Sequence, residues 1–504
     1  MIRKIAGSLA VLSSVGLAVP AHAEPAPPLT EDRAEEVRSA CGYPQAAILD
    51  ASALASVEDM TARLPDRGTP QIVYGAQIAE ADFREAAAKL ERTCFHSSGF
   101  PRSNWDGVSV SGLSFVRSDL SGARMRGARL DAPRFVGVNL SGANLAGASL
   151  RGGRWVGAYW ESSLASTRFT GAQMESFVFE CSIVMSESCG TEATTFTGAS
   201  FRGADLSQLS VYGGDDFTGA EFDRTVLDLR ALAYLPASAQ FTGPVYFYHA
   251  SNTDPAQRQV EEFSPDDIAE IRRNIVDPRS QDAPSFDCAK AGTRAERLIC
   301  GEWAQGLREA DRLLAEVYAE ARGKGLTTGA EQKRWLAERD RCEDSDCIEA
   351  AYAARTDALL GKLGPKSTLT PGATRTYVEA ALRFDPAFRT TPLYRRLAEP
   401  LRASALQGAT LTMHEDGSIS ASGEAIGGNA HMCSLGVERA RFDPANGWYS
   451  AQEDDGTRVP LFRLLGDRLE FRYSGNMGDT PDEASRYLSC GARVGFGPMI
   501  ALMP

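Results

Sequence analysis

The sequence lacks the short motifs on which most enzyme families depend. No GxSxG, HExxH, phosphate-binding loop or dinucleotide-binding fingerprint occurs in its 504 residues. Only five histidines are present and no two cysteines are spaced as CxxC, which disfavours a zinc site. The adjacent acids Glu343 and Asp344 lie in a polar turn, where we expect them to face solvent rather than to hydrolyse glycosides. The sequence therefore predicts a protein that is not an enzyme, with no catalytic residues and no metal or cofactor.

Basic charge and long apolar runs are also scarce. Lysine and arginine total 53 against 66 acidic residues, which gives a formal net charge of −13. Nucleic acid is disfavoured as a partner because phosphate binding needs cationic side chains. The acidity favours the approach of a cationic protein instead. Beyond the N-terminal segment there is no window of eighteen uninterrupted apolar residues, so no transmembrane segment is predicted.

The first 23 residues have the composition of a secretory signal peptide. Arg3 and Lys4 precede an apolar run over residues 5–19, and Ala21-His22-Ala23 forms a small-x-small cleavage site. We predict cleavage after Ala23 and a periplasmic or secreted protein.

Ten cysteines, an even number, fall in pairs within separate segments. In an exported chain this spacing predicts a disulfide framework. The predicted pairs are Cys41 with Cys94, Cys181 with Cys189, Cys288 with Cys300, Cys342 with Cys347, and Cys433 with Cys490. For Cys181 and Cys189 the alternative is a pair of buried free thiols.

A period of five residues dominates the stretch from Trp105 to Leu229. Every fifth residue from Trp105 to Trp160 is bulky and apolar, and a small residue often stands two positions earlier, as in SGANL and AGASL. Neither a helix nor a flat strand keeps one face at this period. A coil with a corner every five residues does so, with one large and one small side chain turned inward at each corner. The phase slips after Trp160 and is lost around residues 181–189, which we interpret as a loop that protrudes from the coil and is closed by its disulfide.

This stretch resembles the pentapeptide-repeat family. The resemblance implies a right-handed quadrilateral β-helix with four pentapeptides per coil, in which each coil is stabilised by stacking on its neighbours. About six coils at a strand spacing of about 4.8 Å would make a rod roughly 30 Å long. Some members of the family mimic DNA, but 14 acidic against 11 basic residues over 101–229, in an exported chain, do not fit that role.

The segment 285–364 carries strong helix signals. Thr293 with Glu296, and Thr328 with Glu331, form capping boxes, and three helices with apolar stripes are predicted. The segment resembles the LprI-like lysozyme-inhibitor family, which implies a small secreted helical module. The matching residues are Ser285-Phe286-Asp287-Cys288, Glu296, Ile299-Cys300, Asp311, Tyr318, Gln332, Trp335-Leu336, Arg339-Asp340-Arg341-Cys342, Cys347 and Tyr352. Family members are often lipid-anchored, whereas this chain has no anchoring cysteine.

Trp335, Arg339 and Asp340 are the candidate partner-binding residues of this module. The alternative is that Trp335 belongs to the hydrophobic core and that both charged side chains are solvated.

The predicted fold class is multidomain and mixed: a right-handed quadrilateral β-helix, a small disulfide-tied helical module and a C-terminal small all-β domain. Helices are predicted at 46–49 and 83–90, and around Tyr377 and 380–382; strands separated by turns follow from residue 409. The predicted boundaries are 1–23 signal peptide, 24–100 helical N-terminal cap, 101–229 pentapeptide-repeat β-helix, 230–284 linker with capping strand and short helix, 285–364 LprI-like helical module, 365–408 helical linker, and 409–504 small β domain.

These features together predict an exported binding protein without enzymatic activity. We expect the 285–361 module, displayed on the β-helical spacer, to bind or inhibit a lysozyme-type muramidase, a cationic partner. The alternative is a structural or adhesion protein of the cell envelope with no lysozyme-directed activity. The oligomeric state is not predicted from the sequence.

Overall fold

The computed structural model describes residues 26–65, 68–157, 162–181, 191, 193–209, 211, 214–248, 259–276, 283–301, 304–379, 382–427, 431–475, 480–491 and 494–503. The predicted signal peptide, Trp160 and residues 182–189 of the predicted loop lie outside the described residues, and with them the predicted disulfide between Cys181 and Cys189.

The described helices and strands are numbered in chain order. The helices are Glu31–Cys41 (α1), Val57–Ala62 (α2), Pro265–Asn274 (α3), Arg294–Ile299 (α4), Gln305–Gly323 (α5), Gly329–Arg339 (α6), Ser345–Leu363 (α7), Pro392–Ser404 (α8) and Asp482–Ser485 (α9). The strands before α4 are Ala47–Asp50 (β1), Gln71–Tyr74 (β2), Thr93–His96 (β3), Ser109–Ser111 (β4), Ser114–Val116 (β5), Arg129–Asp131 (β6), Arg134–Val136 (β7), Arg154–Gly157 (β8), Val178–Cys181 (β9), Asp205–Leu206 (β10), Glu221–Phe222 (β11), Thr225–Leu227 (β12), Gln240–Phe241 (β13), Val245–Tyr248 (β14) and Val260–Phe263 (β15). The strands after α7 are Lys366–Ser367 (β16), Thr374–Glu379 (β17), Gln407–Met413 (β18), Ile419–Ile426 (β19), Met432–Asp443 (β20), Trp448–Gln452 (β21), Arg458–Gly466 (β22), Arg468–Phe471 (β23), Leu488–Cys490 (β24) and Met499–Ala501 (β25).

The five-residue repeat forms a β-solenoid that spans residues 47–247, which confirms the predicted fold class. One side of it is an eleven-stranded sheet in the order β1-β2-β3-β5-β7-β8-β9-β10-β12-β14-β15. Phe95, Phe115, Phe135 and Trp155 are in register on consecutive strands and point into one core. Their ring centroids follow at 5.4, 5.8 and 6.4 Å. Each coil therefore buries its apolar side chains by stacking on the next.

The slips of the five-residue phase are insertions at one corner of the solenoid. Bridged residues on consecutive coils are 20 positions apart at Arg124 and Asn144, 24 at Asn144 and Arg168, 27 at Arg168 and Thr195, and 21 at Thr195 and Asp216. In each longer coil the extra residues follow the strand of the eleven-stranded sheet, β8, β9 or β10 in turn. The remaining corners keep the spacing of five residues, so that the core continues without interruption.

The N-terminal segment differs from its prediction, because much of it belongs to the solenoid. The predicted helix at 46–49 is β1, which pairs in parallel with β2. The predicted helix at 83–90 is absent: Phe83 lies in the solenoid core, stacked on Trp105 with 3.8 Å between ring centroids, and only Ala87–Lys89 forms a 3-10 turn. Burial of the aromatic ring outweighs the local helix propensity of the alanine-rich segment.

The C-terminal end of the solenoid is covered by a strand and two helices. The predicted capping strand is β14, the last parallel strand, and β15 adds to it in antiparallel orientation. Helices α3 and α8 complete the end of the core, to which Ile268 and Leu397 contribute fully buried side chains. The predicted helical linker therefore contains a solenoid cap. The helix predicted around Tyr377 at the start of this linker is wrong, since Thr374–Glu379 is the strand β17 and Tyr377 is buried in the β domain.

The C-terminal domain is a closed antiparallel barrel of eight strands in the order β22-β21-β20-β19-β18-β17-β25-β23. It closes because β23 also pairs with β22. Leu411, Leu461 and Leu469 are among its fully buried core residues. Cys433 and Cys490 join β20 to β24 on its outer edge.

The helical module consists of α4–α7. Both predicted capping boxes are present, at Thr293 and at Thr328. The first predicted helix is divided in two, since α4 ends at Ile299 and α5 begins at Gln305. The disulfide Cys288–Cys300 lies before this break, and Cys342–Cys347 closes the turn between α6 and α7.

Candidate partner-binding site in the helical module

The three predicted partner-binding residues lie at the C-terminal end of α6. The Trp335 side chain is half-buried, with its ring edge-on to Tyr352 at 5.1 Å between centroids. Arg339 has a side chain only 4% exposed, and its guanidinium donates to Oδ1 of Asp340 at 2.6 Å. Asp340 remains partly accessible, at 29% of its side-chain area. The structure therefore brings the three together, but Trp335 and Asp340 are the two that reach the surface.

Arg339 belongs to a buried polar network that connects three helices. Its Nη1 donates to the Tyr352 hydroxyl at 3.0 Å, and that hydroxyl donates to Oδ1 of Asp311 at 2.7 Å. Burial raises the pKa of the Tyr352 phenol, and the neighbouring Asp311 carboxylate raises it further. The phenol therefore stays protonated, and the network holds α6 to α7 and α5. Asp311, Arg339 and Tyr352 are thus buried and hold α6, which carries Trp335, in place.

The turn that follows α6 is the most exposed and most acidic part of the module. Glu343, Asp344 and Asp346 are exposed, as the sequence predicts for the first two. Residues 338–349 contain six acidic and two basic residues, and one of the two basic residues is the buried Arg339. The disulfide Cys342–Cys347 closes this turn, and Asp344 caps α7 by accepting the Cys347 N–H at 2.8 Å. We call residues 340–347 the acidic turn.

The acidic turn was not among the predicted partner-binding residues apart from Asp340. Two signals in the sequence point to it: the short spacing of Cys342 and Cys347, and the local excess of carboxylates. The sequence predicted that Glu343 and Asp344 face solvent, but not that the barrel packs elsewhere on the module and leaves the turn exposed.

The barrel covers the opposite side of the module. Asp357 of α7 accepts from Arg463 and from Arg472, each at 2.9 Å. Glu309 of α5 accepts from Arg468 at 2.6 Å. Burial raises the pKa of the Asp357 carboxyl, against the lowering effect of its hydrogen bond and arginine neighbours. This surface is occupied within the chain, whereas the side chains of Glu343, Asp344 and Asp346 are exposed among the described residues.

No group of three or more His, Cys, Asp or Glu side chains that could hold a metal occurs among the described residues. Two grooves of about 220 and 200 Å³ lie on the solenoid, one lined by Arg129 and Asp131 and the other by Asp228 and Tyr248. No helix in the described ranges is long and apolar enough to cross a membrane.

The pentapeptide-repeat family model, described as pentapeptide repeats in eight copies, matches residues 134–152. Among solved structures, full-length QnrB1, a plasmid-mediated fluoroquinolone resistance protein, is similar at 16% identity over 34% of this chain and 92% of its own, with a TM-score of 0.17. HetL, involved in heterocyst differentiation regulation in the cyanobacterium Nostoc, is similar at 19% identity over 34% of this chain and 78% of its own, with a TM-score of 0.17. A pentapeptide repeat protein of the Arabidopsis thaliana thylakoid lumen is similar at 18% identity over 30% of this chain and 79% of its own, with a TM-score of 0.12. No curated protein matches the chain.

Residues 47–247 form a β-solenoid, and residues 134–152 within it match the pentapeptide-repeat model. Pentapeptide-repeat proteins are generally non-catalytic, and this applies only to the solenoid part of the chain. The disulfides Cys41–Cys94, Cys288–Cys300, Cys342–Cys347 and Cys433–Cys490 indicate an oxidising, extracytoplasmic compartment.

Proposed function

We propose that this is an exported, non-enzymatic binding protein that binds and inhibits a lysozyme-type muramidase through the helical module 285–361. The solenoid serves as the spacer that displays the module, and the signal peptide directs export and is cleaved after Ala23. The observation that carries the proposal is the acidic turn, which is exposed, closed by a disulfide and located on the side of the module that the barrel leaves free. The resemblance of 285–361 to LprI-like lysozyme inhibitors supports the choice of partner.

The acidic turn suits a cationic cleft for electrostatic and entropic reasons. Its carboxylates would attract a basic protein over distances of about 10 Å at moderate ionic strength. The disulfide and the helix cap hold the backbone of the turn in one conformation, which reduces the entropy lost on binding. Trp335 and Asp340 lie beside the turn and complete the contact surface, while Arg339 positions Asp340.

A lysis assay tests this function. The purified mature protein, with its disulfides intact, is titrated into lysozyme acting on peptidoglycan. We expect slower lysis near equimolar protein and a weaker effect at high salt. A double reversal of charge on the turn, Glu343→Lys with Asp346→Lys, should weaken inhibition about tenfold or more, which corresponds to about 1.4 kcal/mol or more.

The matched control is a double reversal on the barrel, Glu424→Lys with Asp454→Lys, because both side chains are exposed and the change in net charge is the same. If both double variants lost inhibition to the same extent, the effect would be due to net charge and not to the acidic turn. No slowing of lysis at an excess of the unmodified protein would refute the proposed function. A structural or adhesion role in the cell envelope is then the alternative, and a pull-down that recovers a fixed envelope partner without a muramidase would favour it.

A further inference from the structure

The groove beside Arg129 lies on a side of the solenoid away from the eleven-stranded sheet. Its floor is the two-stranded sheet of β4 and β6, and Ser149 of the following coil bridges to Arg129. The volume of the groove is about 220 Å³. Pockets for drug-sized ligands enclose about 300–1,000 Å³, so this groove suits a smaller unit, such as one ring of a polymer.

The groove is bounded at both ends along the rod. The coil between β2 and β3 spans 22 residues, whereas the next spans 20. The 3-10 turn Ala87–Lys89 lies in the longer coil, and Ala87 lines the first end of the groove. At the other end Arg151 is paired with Glu175 at 3.2 Å. The side chains between these ends lie on three consecutive coils, so about 10 Å separates the first coil from the third.

The side chains of the groove leave hydrogen-bonding groups free. Among the residues that the structure describes, the Arg129 guanidinium and the hydroxyls of Ser109 and Ser149 have no hydrogen bond or ion pair. Asp131 accepts from the Ser111 hydroxyl through Oδ2 at 3.2 Å, which leaves its Oδ1 for another donor. The backbone groups of β4 and β6 point along the rod to neighbouring coils. A ligand in the groove is therefore recognised by side chains and not by strand pairing.

The charge around the groove differs from that of the whole chain. Residues 101–170 contain nine arginines and four acidic residues, whereas residues 171–248 contain three arginines and ten acidic residues. This basic section of an acidic protein attracts anions. Within the groove, however, Glu91 and Asp131 lie with Arg129 and Arg151. A densely charged polyanion would be repelled by the two carboxylates, so the charges fit a unit with one anionic group and several hydroxyls.

We propose that this groove binds a carboxylated sugar unit of an acidic polysaccharide. The sugar carboxylate pairs with the Arg129 guanidinium, which can hold both of its oxygens. Sugar hydroxyls bond to the Ser109 and Ser149 hydroxyls and donate to Oδ1 of Asp131. The solenoid is then a binding surface in its own right, and this site does not rest on the binding of a muramidase.

Isothermal titration calorimetry of the full mature chain tests the site with three probes. Oligogalacturonate carries its carboxylate on a uronic acid, the disaccharide N-acetylglucosaminyl-N-acetylmuramic acid carries it on muramic acid, and diacetylchitobiose carries none. We expect at least one acidic probe to bind, and diacetylchitobiose to bind about tenfold more weakly or not at all. The acidic probe that binds identifies the source of the sugar. Binding of neither acidic probe, or equal binding of diacetylchitobiose, would overturn the proposal.

Arg129→Gln tests the position of the carboxylate. The matched control is Arg124→Gln, because Arg124 is exposed, lies five residues earlier on the adjoining side of the same coil, and has no ion pair within the described part of the chain. We expect Arg129→Gln to weaken binding of the acidic probe about tenfold, and Arg124→Gln to change it less than about twofold. Equal weakening by the two substitutions would assign the binding to general basic charge and would overturn the site.

Ser149→Ala tests the recognition of sugar hydroxyls. Its matched control is Ser200→Ala, since Ser200 lies two coils further along the same row of outward side chains, beyond the groove. Loss of one hydrogen bond should weaken binding about threefold or more in Ser149→Ala and leave Ser200→Ala unchanged. An unchanged affinity in Ser149→Ala would contradict the placement of the sugar in this groove.

Discussion

The contact between α7 and the barrel predicts an unusual response to a glycine substitution. A Cβ atom added to Gly361 would overlap the Pro444 carbonyl oxygen and lie 3.3 Å from the carbonyl carbon of Ala445. Both are backbone atoms, so no side-chain rotation can relieve the overlap. A Cβ atom on Gly447, in the facing turn, would in turn lie 2.8 Å from Cβ of Leu360. The helix and the β20–β21 turn thus approach at a distance that only glycine permits.

The expected magnitude follows from two opposing effects. In an unobstructed helix, replacing glycine with alanine stabilises a protein by about 0.5–1 kcal/mol. At Gly361 the added methyl must push the helix from the barrel, and overpacking of this kind costs about 1–3 kcal/mol. We expect Gly361→Ala to lower the free energy of unfolding by about 1–2 kcal/mol. Gly323→Ala is the matched control, since Gly323 also lies near the C-terminal end of a helix and has nothing within 4 Å of the added Cβ.

Urea unfolding of the full chain measures both variants under one condition. Trp448 reports on this interface, because its ring lies under the Arg463 guanidinium at 4.4 Å. We expect Gly361→Ala to unfold at a lower urea concentration than the native chain, and Gly323→Ala at the same or a higher concentration. If Gly361→Ala proved as stable as Gly323→Ala, the close packing of α7 on the barrel would be wrong.

Three further predictions concern the rest of the molecule. Burial, with Arg117 and Arg33 nearby, lowers the pKa of His96 from 6.5 to about 4, so that between these pH values the unfolded chain binds a proton and the folded chain does not. The free energy of unfolding should therefore fall by up to about 3 kcal/mol as the pH drops from about 6.5 to 4. Urea unfolding of a His96→Gln variant should not show this pH dependence. Removing Cys41–Cys94, which are 53 residues apart, should cost about 4 kcal/mol, and removing Cys342–Cys347, 5 residues apart, about 2 kcal/mol; paired serine variants in urea would contradict this by showing the reverse order. Leu145→Ala, at a fully buried position of the solenoid core, should cost about 2–5 kcal/mol, and a change below 1 kcal/mol in the same assay would show that the coils collapse around the cavity.

The solenoid could be predicted from the sequence only where the five-residue period is visible along its coils. From Cys94 to Ser114 the spacing of aligned residues is 20, and the five-residue period is visible. The first coil spans 24 residues from Ala47 to Gln71, and the next spans 22. The first of these coils accommodates α2, which hides the period and leaves local helix propensity as the stronger signal. The first coils were therefore predicted as a helical cap.

The candidate site was predicted in part for a related reason. The segment holding Trp335, Arg339 and Asp340 was identified, but the burial of Arg339 depends on Tyr352 and Asp311, which are distant in sequence. An arginine in a polar helix gives no local sign that two other helices close over it. Arg339 is therefore buried and holds Asp340 in place, and the exposed carboxylates belong to the neighbouring acidic turn.

The position of the barrel also determines what an isolated module can show. Helix α7 carries acidic groups in two places: Asp344 and Asp346 at its N-terminal end, and Asp357 in its C-terminal half. Asp344 and Asp357 are about 20 Å apart along the helix axis. In the full chain Asp357 is paired with two arginines of the barrel, so the proposed cationic partner would meet the acidic turn and not this carboxylate. Removing the barrel would expose Asp357 and Glu309 as a second acidic surface. If a 285–361 fragment bound a cationic protein more tightly than the full chain does, the additional affinity would come from the surface that the barrel covers. The proposed binding surface is therefore tested by the charge reversals at Glu343 and Asp346 in the intact protein.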